Sequence, residues 1–275
     1  MKNPYHNKTA FVTGGGSGIG RALCEALAKR GASVVVTDIN VKEAERAAAA
    51  IAADGGKARA RGLDVTDEGA VFRAVEETAA DAGGIDYYFN NAGIGISADA
   101  LDLSMAQWKK VFDVNLFGVI YGTMAAYGVM ARQGRGHIIN ISSMAGFAPF
   151  SINTPYTAAK HAVYGLTESL RHEAAGHGVR MTLVCPGIVR TGFYDAIEII
   201  GTTRETYMSW MPRRLITPER AASIILDGAA KNRKRIVFPL HARLLWWVKK
   251  IAPGALDIMN KIMVKKYRSL RAGGR

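Results

Sequence analysis

Residues 9 to 20 read TAFVTGGGSGIG: a short apolar run, a glycine-rich turn and the start of a helical pattern that continues to about Lys29. A strand, a turn and a helix in this order form a nucleotide-binding βα unit, because backbone N–H groups at a helix N-terminus can approach a pyrophosphate where glycine leaves no Cβ. The glycine spacing differs from GxGxxG, so a plain turn remains an alternative. The residues expected to touch a nucleotide here are Gly14, Ser17, Gly18, Ile19 and Gly20.

Apolar strands and helical stretches alternate along the chain to about residue 238. After the first strand, the predicted strands are 33–38, 58–65, 85–89, 137–141, 180–184 and 235–238. The predicted helices between them are 41–53, 67–82, 104–132 and one that begins at about Tyr156. Short connections between alternating elements predict an α/β fold, a doubly wound parallel sheet with helices on both faces. No repeat or linker interrupts residues 1–238, which are expected to form a single domain.

The composition narrows the class of protein. The chain has 275 residues, of which 49% are hydrophobic, enough to bury a large core. It begins without the apolar segment of a signal peptide. It contains no run of about 18 consecutive apolar residues, so we expect no membrane-spanning helix. Cys24 and Cys185 are expected to be buried free thiols, and no His/Cys spacing suggests a metal site. We expect a cytoplasmic protein.

The second strand ends in Asp38, at the distance expected for a carboxylate that binds the adenosine ribose. Such a carboxylate accepts hydrogen bonds from the ribose hydroxyls and repels a 2′-phosphate. No basic residue follows it directly, which favours NAD over NADP. The alternative is that Asp38 only caps the next helix. Asp64, just past the third strand, is placed to bind the adenine amino group.

The stretch from Ser142 to Lys160, SSMAGFAPFSINTPYTAAK, carries the chemistry. Tyr156 and Lys160 are four residues apart and therefore lie on one helix face. A nearby cation lowers a phenol pKa by roughly 1–3 units, which would let Tyr156 exchange protons with an alcohol or ketone. Ser143, at the strand end, can hydrogen-bond the same oxygen. A surface Tyr and Lys on an ordinary helix are the alternative.

Two further segments have open interpretations. Asn115 lies in the apolar helical stretch VFDVNLFGVI, where it either perturbs the helix or forms hydrogen bonds within the core. Residues 188–216 follow the Pro186-Gly187 turn and form a long, irregular insertion at the carboxyl end of a strand, which is typical of a lid. The apolar and aromatic makeup of this lid suggests an apolar substrate, although packing on the core would also explain it.

With these residues placed, the chain from about Thr9 to Phe238 resembles a short-chain dehydrogenase/reductase of the basic one-domain type. Several independent motifs occur in the order that this family has. They are TGGGSGIG at 13–20, Asp38, Asp64-Val65, NNAG at 90–93, Asn115, Ser143, YTAAK at 156–160 and PGIVRT from Pro186.

The resemblance implies a Rossmann fold with seven parallel strands in the order 3-2-1-4-5-6-7. It implies that Tyr156 is the general acid/base, that Lys160 binds the nicotinamide ribose and keeps the Tyr pKa low, and that Ser143 polarises the substrate oxygen. It further implies that Asn115 holds a relay water and that Thr191 binds the nicotinamide carboxamide. The other cofactor contacts that it implies are Val65, Asn91, Ala92, Gly93, Pro186, Gly187 and Val189. It also implies a homodimer or homotetramer built on the long helices.

The positive charge belongs to the C-terminal end. The formal net charge is +13, and residues 231–275 contain thirteen Lys or Arg and one acid, Asp257, so the body is nearly neutral. Residues 239–275 are predicted to form a basic extension of two amphipathic helices, with apolar faces based on Leu240 to Ile251 and on Leu256 to Leu270. These faces either lie on an anionic membrane or cover the substrate pocket or a neighbouring subunit. A third alternative, nucleic acid binding, lacks a recognised module.

These observations predict an NAD-dependent oxidoreductase that interconverts a secondary alcohol and a ketone, with an apolar substrate such as a steroid, hydroxyacyl compound or other lipid alcohol. One alternative is an NADPH-dependent reductase of small carbonyl compounds. The other is a membrane-associated nucleotide-binding scaffold without turnover.

Overall fold

The structure is a computed structural model that describes residues 3–210 and 215–270. Its main sheet has seven strands, all parallel to their neighbours. They are β1 Thr9–Thr13, β2 Ser33–Asp38, β3 Lys57–Gly62, β4 Tyr87–Asn90, β5 Gly136–Ile141, β6 Val179–Pro186 and β7 Arg235–Phe238. Their order is β3-β2-β1-β4-β5-β6-β7, so the predicted doubly wound sheet and its strand order are confirmed.

Helices cover both faces of this sheet. They are α1 Gly18–Lys29, α2 Val41–Ala53, α3 Glu68–Ala82, α4 Met105–Phe112, α5 Gly118–Gln133, α6 Thr154–Ala175, α7 Phe193–Ala196, α8 Arg204–Met208, α9 Pro218–Ala230, α10 Leu240–Ile251 and α11 Gly254–Ser269. Buried residues of α1, α2 and α9 form the core on one face, and those of α3, α5 and α6 form the core on the other. Strands buried on both sides read as continuous apolar runs, as β2 does in SVVVTD.

Several element boundaries differ from the predicted ones for local physical reasons. Helix α6 begins at Thr154, not Tyr156, because Pro155 fits the first turn, where its missing N–H has no partner to lose. The predicted helix 104–132 is divided by a π-helical segment, Asp113–Phe117. Strand β3 ends at Gly62, since the chain from Leu63 onward turns towards a cavity at the edge of the sheet.

The lid predicted at 188–216 contains two short helices, α7 and α8, and a two-residue strand, Glu198–Ile199, that pairs with Ile96–Ser97. Residues 211–214 of this segment lie outside the described residues.

Helices α4 and α5 together form a stretch that is long and apolar enough to cross a membrane by length and composition alone. Half of that stretch is buried inside the fold, as expected for a core helix.

The two C-terminal helices pack on the domain in opposite ways. Helix α11 buries most of its predicted apolar face, although Leu270 at its end is exposed, and Leu256 joins a third core cluster with Phe147 and Leu183. Helix α10 instead faces the domain through Ala242 and Trp246, and its predicted apolar face points to solvent. Helix α11 therefore covers part of the domain, whereas the apolar face of α10 is open and both alternatives for it stay open.

Candidate active site

A cavity of about 480 Å³ lies at the carboxyl ends of the strands. Because parallel strands present their carboxyl ends on one edge, loops that are distant in sequence meet there. The cavity brings together all the predicted site residues except Gly20 and Asn115. Those that line it are Gly14, Ser17, Gly18, Ile19, Asp38, Asp64, Val65, Asn91, Ala92, Gly93, Ser143, Tyr156, Lys160, Pro186, Gly187, Val189 and Thr191.

Gly20 supports the glycine-rich turn from beneath and does not line the cavity. A Cβ at this position would lie 2.0 Å from the carbonyl oxygen of Gly14 and 2.4 Å from Nδ2 of Asn91. The Asn91 amide donates hydrogen bonds of 3.0 Å to the carbonyls of Thr13 and Gly14, which holds the turn against β4. Gly20 thus permits the close approach that shapes the turn, and its contact with a nucleotide stays a prediction.

Two carboxylates occupy one end of the cavity. Asp38 accepts hydrogen bonds of 3.0 Å from the backbone N–H groups of Gly16 and Asn40, and Asn40 is the residue before α2. Asp38 therefore fixes the turn before α2 and lines the cavity, whereas the N-cap of α2 is Asn40. Asp64 accepts hydrogen bonds from the N–H and hydroxyl of Thr66. Among the described residues that line the cavity, Lys160 is the only base, and it lies among the catalytic candidates.

Ser143, Tyr156 and Lys160 converge at the other part of the cavity. The Ser143 side chain is hydrogen-bonded to the Tyr156 phenol. Lys160 is buried, its Nζ donates a 3.0 Å hydrogen bond to the carbonyl of Ile141, and Nζ lies 5.6 Å from the centroid of the Tyr156 ring. The end of β5 and the first two turns of α6 thus place a hydroxyl, a phenol and an amine together.

Burial shifts the pKa values of this group in the protein alone. It raises the pKa of Tyr156 to about 12, although the hydrogen bond from Ser143 opposes this rise. Burial likewise lowers the pKa of Lys160 to about 8. Loss of solvent is the largest effect at both groups, and the lowering of the Tyr156 pKa by Lys160 stays a prediction.

Asn115 lies behind the cavity, within the π-helical segment, and is fully buried. Its side chain accepts a 2.9 Å hydrogen bond from the N–H of Ile94 and donates one of 2.8 Å to the Ile94 carbonyl. A Cβ on Gly93 would lie 3.0 Å from Oδ1 of Asn115 and 3.7 Å from Nζ of Lys160, so these three residues are close neighbours. Asn115 thus both perturbs its helix and hydrogen-bonds in the core.

A contact from α10 fixes the turn after β6. The N–H of Ile188 donates a 3.1 Å hydrogen bond to Nε2 of His241, and burial lowers the pKa of this imidazole, which favours the neutral form that can accept. Thr191, three residues further along, packs over Gly18 and closes the cavity above the glycine-rich turn. The role of His241 was not predicted from the sequence, because this residue lies 53 residues after Ile188 and no local motif marks it.

The lid covers the catalytic group. The ring of Phe193 lies 6.0 Å from that of Tyr156, centroid to centroid. Arg204 of α8 donates hydrogen bonds to the carbonyls of Tyr194 and Ile197 and so ties the two lid helices together. Lining residues absent from the predicted set are Ile39, Leu63, Ile94, Gly95, Val114, Ile141, Ser142, Gly192, Phe193, Tyr194 and Ala196. Some of them directly follow predicted residues in the sequence. Ile39 could have been predicted, because it is an apolar residue that directly follows Asp38, the acid at the end of β2.

Helix α11 holds the lid and the loop before α6 from outside. The Tyr267 hydroxyl donates to the carbonyl of Ile200, and the Tyr267 ring packs edge-on against Trp210. Oδ1 of Asn260 accepts a 2.7 Å hydrogen bond from the N–H of Ser151, and Nδ2 donates one of 3.1 Å to the Pro149 carbonyl. These contacts connect α11 to the lid on one side of the catalytic group and to the loop before α6 on the other.

We expect Lys160→Met to stabilise the protein while abolishing its chemistry. The lowering of the Lys160 pKa from 10.5 to about 8 means that folding disfavours the charged amine by about 3 kcal/mol. The variant also loses the hydrogen bond to Ile141, which costs about 1 kcal/mol and offsets part of this gain. The folded pKa lies below the unfolded one, so wild-type stability rises between pH 8 and 10.5. The melting temperature of the variant, measured without ligand, should exceed that of wild type at pH 7 by several degrees and approach it near pH 10. An unchanged difference across this range would show that the charge is not the cause.

The family of the chain is identified by its similarity to known proteins. The family model described as short chain dehydrogenase matches residues 8–198, which include β1 to β6 and all the catalytic candidates. The chain belongs to the short-chain dehydrogenase family. The expected resemblance is therefore confirmed, and the protein is an oxidoreductase of a family whose members use NAD(H) or NADP(H).

Members of the short-chain dehydrogenase family show what this chain is similar to. SadH of Mycobacterium tuberculosis, itself only provisionally named an oxidoreductase, is 33% identical, with 98% of this chain and 96% of SadH covered. The cyclohexanol dehydrogenase of Acinetobacter sp. is 39% identical over 72% of this chain and 79% of its own. A short-chain dehydrogenase/reductase from Burkholderia phymatum, solved with NAD, has a TM-score of 0.79 at 28% identity, covering 86% of this chain and 90% of that one. A metagenomic short-chain oxidoreductase, 35% identical with a TM-score of 0.64, was solved with NADP; the match covers 67% of this chain and 84% of that one.

Proposed function

We propose that the protein is an NAD-dependent dehydrogenase that interconverts an apolar secondary alcohol and its ketone. The observation that carries this proposal is the convergence of Ser143, Tyr156 and Lys160 on a cavity whose far end holds carboxylates and, among the described lining residues, no base. The glycine-rich turn, closed from beneath by Gly20, is a cradle that fits a pyrophosphate. Bound there, the nicotinamide cofactor would accept or give the hydride.

The residues of this chain then supply position and proton transfer. The Ser143 hydroxyl and the Tyr156 phenol share a hydrogen bond, so both can contact one substrate oxygen. During oxidation Tyr156 Oη, as the phenolate, takes the hydroxyl proton and becomes the phenol, and during reduction the phenol gives that proton to the carbonyl oxygen and becomes the phenolate. Lys160, beneath Tyr156, is placed to bind a ribose hydroxyl. Asn115 supports Lys160 from behind through Gly93, and a water held there would connect Lys160 to solvent.

The preference for NAD rests on Asp38. Its carboxylate is fixed by two backbone N–H groups, so it cannot easily turn away from a ribose 2′-phosphate. No lysine or arginine among the described lining residues compensates at that end of the cavity. The contacts proposed for the adenosine half are Asp38, Asp64 and Val65, and Thr191 is proposed for the carboxamide.

We expect Asp38→Asn to shift the ratio of NADPH to NADH affinity towards NADPH by about fivefold, since removing one charge near the 2′-phosphate removes about 1 kcal/mol of repulsion. Fluorescence titration with both cofactors measures this ratio. Asp64→Asn is the matched control and should leave the ratio unchanged. A wild-type preference for NADPH would overturn the assignment and favour the alternative, an NADPH-dependent ketone reductase.

The substrate class follows from the lid. The cavity wall around Tyr156 is formed by Phe193, Tyr194, Ala196 and Ile94, which present mostly apolar surface. Apolar walls with a few convergent polar groups favour an apolar alcohol oriented by its hydroxyl. The relative that acts on cyclohexanol supports a cyclic or lipid-like substrate for this chain. Cofactor binding without turnover of any such alcohol would favour the scaffold alternative.

We also propose that the protein is a cytoplasmic homodimer or homotetramer, with reversible attachment to membranes. Phe117 and Met124, seven residues apart on the long helix pair, are 42% and 43% exposed and offer an apolar contact for a second subunit. Light scattering on the purified protein tests this assembly. A monomeric mass at all concentrations would refute it.

A further inference from the structure

Helix α10 presents a continuous apolar surface to solvent. Its members recur at helical spacing, so they lie on one side, and Leu240 and Ile251 at its two ends are 68% and 77% exposed. We name this surface the α10 ridge: Leu240, Leu244, Trp247, Val248 and Ile251. A contiguous apolar patch on a water-soluble domain indicates a binding surface.

The apolar surface continues past the corner between the two C-terminal helices. The connecting residues from Ala252 to Gly254 are exposed and uncharged. Beyond them Ile258 and Ile262, one turn apart on α11, are 61% and 62% exposed. The opposite face of α11 is the one that holds Leu256 in the core, so these two isoleucines have no packing role in the domain.

Basic side chains border this surface. Arg243 and Lys250 lie one turn after Leu240 and Trp247, and Nζ of Lys250 is 5.4 Å from the centroid of the Trp247 ring. On α11, Lys261 and Lys265 follow the exposed isoleucines by three residues. Both lysines also line an open groove of about 710 Å³, whose other lining residues are Ser151, Asp257, Asn260, Val264 and Arg268.

We propose that the α10 ridge and its basic border dock the protein on an anionic lipid bilayer. Apolar side chains would enter the boundary between headgroups and acyl chains, and the lysines and arginines would remain at the level of the phosphates. Tryptophan beside lysine suits this boundary, since each has an apolar body and a polar end. This inference does not depend on the reaction that the enzyme catalyses.

Charge distinguishes a bilayer from a second copy of the chain as the occupant. A symmetric dimer through the α10 ridge would place the same surface on both sides of the interface. Arg243, Lys249 and Lys250 of each copy would then face one another, with Asp257 as the single acid in residues 239–275. An anionic bilayer instead supplies the opposite charge along the whole border.

The docking surface is connected to the active site. Helix α11 carries Ile258 and Ile262 on its outer side and binds the lid through Tyr267 and the loop before α6 through Asn260. A bilayer at this surface would lie against the elements that enclose the substrate. An apolar alcohol dissolved in the bilayer would therefore be concentrated close to the lid.

Flotation of the full-length protein with vesicles tests the proposal. We expect binding to phosphatidylglycerol-rich vesicles, weak binding to pure phosphatidylcholine vesicles, and loss of binding in high salt. Combining Leu244→Ser, Trp247→Ser and Ile251→Ser should abolish flotation. Combining Arg243→Gln, Lys249→Gln and Lys250→Gln should weaken it about fivefold per residue, or about a hundredfold in total.

A matched control removes three exposed lysines elsewhere: Lys42→Gln, Lys57→Gln and Lys110→Gln. It should float as wild type does, and circular dichroism and NADH binding verify the fold of every variant. The proposal is overturned if wild type does not float, or if the ridge variant floats as well as wild type. If wild type does not float, light scattering identifies the alternative. A smaller mass for the ridge variant than for wild type would show that the ridge joins copies of the chain.

Discussion

Tyr156→Phe is expected to lower kcat/KM for alcohol oxidation by about a thousandfold and to change NADH affinity severalfold at most. The substitution removes one oxygen and keeps the ring, so the packing against Phe193 stays intact. The substitution removes the hydroxyl beside Ser143 that takes the substrate proton, and positioned proton transfer contributes about a hundredfold to ten-thousandfold. Steady-state kinetics and a fluorescence titration with NADH measure the two effects separately.

Tyr164→Phe is the matched control for this variant. Tyr164 lies on the same helix, two turns further along, and its ring stacks on Trp246, away from the cavity. This control should retain wild-type kinetics. If Tyr156→Phe retained full turnover, the proton would have to come from another group and the assigned chemistry would be wrong.

Gly20→Ala should lower NADH affinity by about a hundredfold. A methyl group there meets the Gly14 carbonyl at 2.0 Å, a backbone atom that can move only if the whole glycine-rich turn moves. Forced overpacking of this kind costs about 1–3 kcal/mol, and the displaced turn no longer fits a pyrophosphate. Titration with NADH measures the loss.

The same substitution at Gly165 isolates the steric cause. Gly165 is also inside a helix, but its Cβ would meet no atom within 4 Å. Gly165→Ala should keep NADH affinity and stabilise the protein by about 1 kcal/mol, because alanine is the better helix former. Equal NADH affinity in the Gly20 and Gly165 variants would show that the turn does not bind the cofactor.

The fold and much of the site were predictable because their determinants are local. Alternating strands and helices predict a parallel sheet, the family resemblance implies its strand order, and the four-residue spacing of Tyr156 and Lys160 places them on one side of α6. Gly20 was assigned to the correct turn, but its closeness to the Gly14 carbonyl was not predictable, since only the structure shows it.

The features that the sequence did not predict depend on distant contacts. Whether α10 turns its apolar ridge or Trp246 to the domain depends on Phe147, about a hundred residues earlier, whose ring lies 4.9 Å from that of Trp246. The Tyr156 pKa depends on how completely the lid removes solvent, which spacing cannot indicate. His241 and Arg204 act through backbone groups of other segments, so their roles leave no pattern in the sequence.

The most direct test of the central claim is turnover itself. Purified protein is incubated with NAD and a panel of secondary alcohols that runs from 2,3-butanediol through cyclohexanol to steroid and long-chain alcohols, and nicotinamide absorbance reports hydride transfer. We expect NADH to form, fastest with the more apolar alcohols, and slower formation of NADPH when NADP replaces NAD. Tight NADH binding with no turnover of any alcohol, and no reduction of the matching ketones, would contradict the assignment of this cavity as an alcohol dehydrogenase site.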